Sequence, residues 1–156
     1  MLLLLFQLGP EHCALDATQV VEVLALAQLR PLPGAPAAVA GVLNYRGAQV
    51  PVVDLSQCAL GRPAQRRLST RIILTEQVIA PGDQRLVGLI AEHATETMRQ
   101  DDRPDYLQWD TSFTTTSWMD SGASAARGLI QIVDVRGLLP ADVVESLVQH
   151  APPPLL

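Results

Sequence analysis

Lysine is missing from the chain, so all 11 side chains counted as Lys or Arg are arginine, set against 16 aspartates and glutamates. The formal charge of -5 argues against the positive face that sequence-independent binding to nucleic acid or to an acidic membrane needs. No function is drawn from the biased residue usage itself. Cysteine is scarce: Cys13 and Cys58 stand far apart and outside any CxxC. That excludes a disulfide framework and leaves two reduced, packed thiols, as expected of a cytosolic protein. No segment approaches the roughly 20 apolar residues of a membrane-spanning helix, so direct membrane insertion is not expected. The apolar opening Met1 to Phe6 lacks a charged leader and is too short for a signal core; it reads as a buried strand. His12, His93 and His150 are scattered, without the close pairing of a zinc site. No Gly-rich loop opens a helix, and no serine sits in a nucleophile elbow. Neither a metal nor a cofactor is expected.

What remains is apolar and punctuated. At 156 residues with 48% hydrophobic content, the chain can bury a substantial core. Short apolar runs bounded by Gly, Pro, Asn and Asp predict a mainly β protein. Strands are expected over Leu2–Leu8, Cys13–Leu15, Val21–Ala27, Ala40–Tyr45, Ala48–Val53, Arg71–Gln77, Leu86–Glu92, Thr95–Arg99 and 128–135. Asp16 and Gln19 frame a short capped turn. A C-terminal amphipathic helix is expected over 140–150, starting at Pro140, with Val143, Val144, Leu147 and Val148 as its apolar stripe. Val50-Pro51-Val52-Val53-Asp54-Leu55 is echoed by Ile130-Gln131-Ile132-Val133-Asp134-Val135, as two similar lobes would produce. The segment from Cys58 to Thr70, with Arg62, Arg66 and Arg67, reads as an exposed linker between lobes, and its charges as a solvated surface. Residues 103–126 are polar and small and break the pattern.

Two features compete for function. Asp110-Thr111-Ser112 matches the DTS triplet of aspartic proteases, which would make the chain an enzyme; it follows a polar loop and has no second copy. The other is Asn44-Tyr45-Arg46-Gly47-Ala48, a hairpin turn in which Gly47 supplies positive φ. Pro51 beyond it needs an edge strand or a bulge. Glu22 interrupts the apolar run Val20-Val21-Glu22-Val23, and on a regular strand Val20, Glu22 and Leu24 share one face. These residues leave open whether Arg46 pairs internally with Glu22 or Asp54, or contacts a partner.

The ordered set of motifs resembles the CheW-like coupling domain of bacterial chemosensory systems. The resemblance runs through Leu3-Leu4-Leu5-Phe6-Gln7-Leu8-Gly9, Val20-Val21-Glu22-Val23 and Leu32-Pro33-Gly34-Ala35-Pro36. It is strongest over Gly41-Val42-Leu43-Asn44-Tyr45-Arg46-Gly47 and Val50-Pro51-Val52-Val53-Asp54-Leu55, and looser through Arg71-Ile72-Ile73-Leu74, Leu86-Val87-Gly88-Leu89-Ile90 and 128–135. It implies one domain over 1–156, built as two SH3-like five-stranded β-barrel subdomains side by side. One barrel would come mainly from 15–65 and the other mainly from 66–136, with the N-terminal strand open to sharing. It implies no catalysis. Such proteins are cytoplasmic adaptors associated with membrane receptor arrays through their partners. They join the cytoplasmic tip of methyl-accepting chemoreceptors to the regulatory domain of a CheA-type histidine kinase. The receptor-facing positions would fall on Val20, Glu22 and Arg46, and positions near the kinase contact on Gly41 and Val42. Tyr45 stands where an aliphatic residue is commoner, and 103–126 departs from the family's pattern. These departures fit an adaptor of an alternative, non-flagellar pathway.

Overall fold

A strand apolar at nearly every position is stable only where both of its faces are covered, and β1 (Leu2–Leu8) meets that condition. Leu4, Phe6 and Leu8 enter the large central core, while Leu3 and Leu5 enter a smaller cluster with Ala14 and Ile130. The computed structural model that shows this describes residues 2–99, 108–110, 129–135 and 139–153.

The strands form two five-stranded SH3-like barrels. In one, β3 (Val20–Ala25) pairs with β6 (Arg71–Ala80), β6 with the first half of β7 (Asp83–Arg99), β7 with β5 (Ala48–Asp54) and β5 with β4 (Val39–Tyr45). In the other, the second half of β7 pairs with β1, β1 with β2 (Glu11–Asp16), β2 with β9 (Leu129–Ile132) and β9 with β8 (Gln108–Asp110). This is not the expected division at residues 65 and 66. β6 and the start of β7 belong with β3 to β5, because Ile72, Leu74, Leu86 and Ile90 fill the first barrel's interior together with Val50 and Val52. β1 and β2 belong to the second barrel. The segment after Cys58 therefore joins two parts of one barrel instead of linking the lobes.

The alternation along β6 and β7 explains how the barrels pack. Ile72 and Leu74 face the first barrel's interior, while Ile73, Val87, Leu89 and Ala91 join Leu4, Phe6, Cys13 and Leu15 in the core between the sheets. Gly88 is required in the first barrel's interior, since a Cβ would lie 2.9 Å from Val52 Cγ2 and 3.2 Å from Ile72 Cγ2. β7 is one strand of 17 residues, not two, and it changes barrels at His93, which adopts φ 53. The β1–β7 register slips at the same place, between Leu5 and Gln7. Two extra residues on β7 form a bulge that bends the strand there from one sheet into the other.

The repeated segments occupy matching places. β5 and β9 each pair in parallel with a strand of their own barrel, and Val53, Leu55, Val133 and Val135 all enter the central core. α1 (Leu55–Leu60) was not legible as a helix; it starts on the Asp54 side chain and ends at Gly61 in the left-handed conformation. α2 (Ala141–His150) begins one residue after Pro140 and buries Val143, Ser146 and Leu147, with Val144 packed beside them. Val148, expected in its stripe, is exposed. The 3-10 turn Ala17–Gln19 is capped by Asp16 as expected, and the 79–85 segment is a hairpin turning tightly at Pro81-Gly82.

Candidate functional site

β3 and β4 are the two free ends of the first barrel's sheet, so the barrel must close across the gap between them. Backbone closes one end of the gap: Arg30 N donates to Val42 O at 3.0 Å and Val42 N to Arg30 O at 2.7 Å. This crossing explains Gly41, whose φ is +151 and whose Cβ would lie 2.7 Å from Arg30 O and 2.8 Å from Leu29 Cβ. Gly41 and Val42 are therefore buried where two backbones meet.

A side-chain bond closes the other end. Tyr45 Oη donates to Glu22 Oε2 at 2.6 Å, joining the last residue of β4 to the middle of β3. The Tyr45 ring is buried with Val50, Leu74 and Leu86. The bond to the carboxylate, with burial secondary, raises the hydroxyl's pKa above the ordinary tyrosine value.

The adjoining turn has two central residues, Arg46 at φ 48 and Gly47 at φ 85, with Tyr45 opposite Ala48. Positive φ at both positions is the mark of a type I′ hairpin, whose twist matches the strands. Asn44 Oδ1 accepts from Gly47 N at 3.2 Å and steadies it. Glycine bears this conformation without cost, whereas an arginine pays roughly 1 kcal/mol. The Arg46 guanidinium lies 5.2 Å from the Tyr45 ring centroid and is exposed. Among the described residues the ion pair formed is Arg85 with Asp83, so Arg46 clamps neither Glu22 nor Asp54. Tyr45 takes the carboxylate of the first, and backbone amides take the second.

Those amides define a second carboxylate corner. Asp54 Oδ1 accepts from Ser56 N at 3.0 Å and Gln57 N at 3.2 Å, and Oδ2 from Ala64 N at 2.9 Å. Glu92 Oε1 accepts from Gln65 N at 2.9 Å. Burial raises the Asp54 pKa; the three amide bonds oppose the shift, and nearby Glu92 adds to it. Beside it, burial foremost, with the Asp54 and Asp142 charges, pushes the Cys58 thiol up to about 12. Cys13 is fully buried and also shifted up, by burial first and then Glu11; both cysteines are free thiols.

Val20 does not share a face with Glu22. The β3–β6 register slips between them, so Val20 and Val21 both stand against Thr75. This bulge turns Val20 to the central core beside Val23, while Glu22 and Leu24 face the first barrel's interior. Val21 is pushed outward, 40% exposed. Two contributors escaped the sequence reading. Val21 was hidden because strict alternation ignores an inserted residue. Tyr45 was visible only as a departure from the family, with no pattern tying it to Glu22. Asp110 ends β8 opposite Gln131, and the rest of its triplet lies outside the described residues. Among the described residues no three metal-ligating side chains gather, and no helix is long and apolar enough to cross a membrane.

The same arrangement of strands occurs in known proteins. The scaffolding protein TtCheW of Thermoanaerobacter tengcongensis superposes with a TM-score of 0.65 over 91% of this chain and 89% of that one, at 22% identity. At that identity the match speaks for the fold. In sequence, the chain is 32% identical over 130 residues to a chemotaxis protein CheW of Rhizobium meliloti (strain 1021), covering 83% of this chain and 77% of the relative. A chemotaxis protein CheW of Treponema pallidum (strain Nichols) is 32% identical over 88 residues, 56% of this chain and 44% of that protein. The CheW-like domain model matches residues 2–143, and the chain belongs to the CheW-like domain family.

Proposed function

We propose that this chain is a non-enzymatic adaptor coupling the cytoplasmic tip of methyl-accepting chemoreceptors to the regulatory domain of a CheA-type histidine kinase. The observation that carries the reading is Arg46. It occupies a left-handed turn position where glycine or asparagine would cost less, forms no ion pair among the described residues and stays exposed. Backbone strain retained at a residue whose exposed guanidinium meets, among the described residues, only the face of Tyr45 points to a partner. Glu22 beside it and the exposed Val21 extend the contact edge, with Val20 supporting β3 from the core. Gly41 and Val42 shape the neighbouring kinase-facing surface from beneath, since both are buried. The departures across 103–126 extend the reading to an alternative, non-flagellar pathway.

The test is co-sedimentation of the purified protein with receptor cytoplasmic fragments and kinase. Arg46→Ala should stay folded by circular dichroism and lose receptor binding while still retaining the kinase. An unfolded variant, or a folded one that binds receptor as the wild type does, overturns the assignment of Arg46.

A further inference from the structure

We infer that Tyr45 is a positioning residue that fixes the spacing of the opposite charges on Glu22 and Arg46 and so sets which receptor segments this edge accepts. The inference rests on the receptor-coupling reading above. One aromatic side chain holds both groups: its hydroxyl donates to Glu22 Oε2 at 2.6 Å, and its ring lies 5.2 Å from the Arg46 guanidinium carbon. The ring cannot swing, because Val50, Leu74 and Leu86 pack around it and its backbone pairs with Ala48. Rotamer freedom that a free glutamate and a free arginine would lose on binding is thus partly spent beforehand.

The held pair keeps capacity for a partner. Glu22 accepts from Tyr45 through one oxygen, and among the described residues the arginine's fork of donors has no hydrogen-bond or ion-pair partner. The complementary surface is a segment bearing a carboxylate opposite Arg46 and a cation or hydroxyl opposite Glu22. An aliphatic residue at position 45 could fill the core but could hold neither charge.

Tyr45→Phe separates these roles, since it preserves the ring, its packing and the stack on Arg46 and removes only the bond to Glu22. Affinity for a purified receptor cytoplasmic fragment is measured by calorimetry for the wild type, Tyr45→Phe, Glu22→Gln and the double variant, with melting curves for each. Tyr45→Phe should weaken binding about three- to tenfold, and the losses in the double variant should be less than additive, because Glu22→Gln keeps only a neutral acceptor for the Tyr45 hydroxyl. If Tyr45→Phe lowers the melting temperature and leaves affinity unchanged while Arg46→Ala still abolishes binding, Tyr45 only closes the barrel and the inference fails with the coupling reading intact. If Glu22→Gln and Arg46→Ala both bind as the wild type does, the coupling reading fails and takes the inference with it.

Discussion

The corner around Asp54 and the seam around Glu22 use the same chemical group in one barrel to opposite ends. At the corner, three backbone amides converge on a buried carboxylate, start α1 and hold down the following loop. At the seam, a half-buried carboxylate takes one hydroxyl and is left beside an unpaired arginine. A carboxylate saturated by its own backbone has nothing left to offer a partner, and one that keeps a free oxygen at an edge does. Burial alone therefore does not separate the two acids; the count of partners does.

The contrast is broken most directly at Asp54. Asp54→Ala strands three amides and should cost about 3 kcal/mol, read from the urea midpoint at constant slope, whereas Glu22→Ala should cost about 1 kcal/mol. Equal costs would mean that the seam is as structural as the corner. Gly41→Ala tests the seam's backbone half. A methyl group driven against Arg30 O should cost roughly 2 kcal/mol and, by shifting the backbone beneath the proposed kinase-facing surface, should also weaken kinase binding by the fraction that remains folded.

Titration sharpens the side-chain half. The folded pKa of Tyr45 is raised by its bond to Glu22, so the stability this bond contributes is fully present below the ordinary tyrosine value near 10. It is lost as pH rises through the higher folded value. Absorbance at alkaline pH should show a late-ionising tyrosine that Tyr45→Phe removes, along with that part of the alkaline loss of stability. Asp54 is also raised, so its contribution is lost as pH rises through its folded value and acidification does not remove it. The smallest effect is expected at the turn: Arg46→Asn should stabilise by roughly 0.5 kcal/mol, because asparagine tolerates positive φ better, while receptor binding falls. A loss of stability there would show that Arg46 supports the fold after all.

Much of this was readable in the chain. Long apolar runs with turn residues between them placed β1 and β3 to β6 within a few residues, and Arg46-Gly47 between two such runs named its own hairpin. α1 was hidden because six residues carry too little periodicity, and its main signal, Asp54 as cap, reads equally as the end of a strand. The His93 bend was hidden because a histidine at positive φ has no local signature. The Val20 bulge was hidden because period-2 alternation assumes that no residue is inserted.

By itself, the amino-acid order determined the β class, the tight turn and the glycine within it, since local sterics and the alternation of side chains act over a few residues. The echo of Val50–Leu55 in 130–135 also announced two related lobes. Tertiary structure alone decided which strands share a barrel, that Val20 and Glu22 part company, and that Glu22 is held by Tyr45, leaving Arg46 unpaired. The Glu22–Tyr45 contact joins residues 23 positions apart in the chain, and like the barrel's closure it depends on how a sheet closes on itself, which no local pattern records.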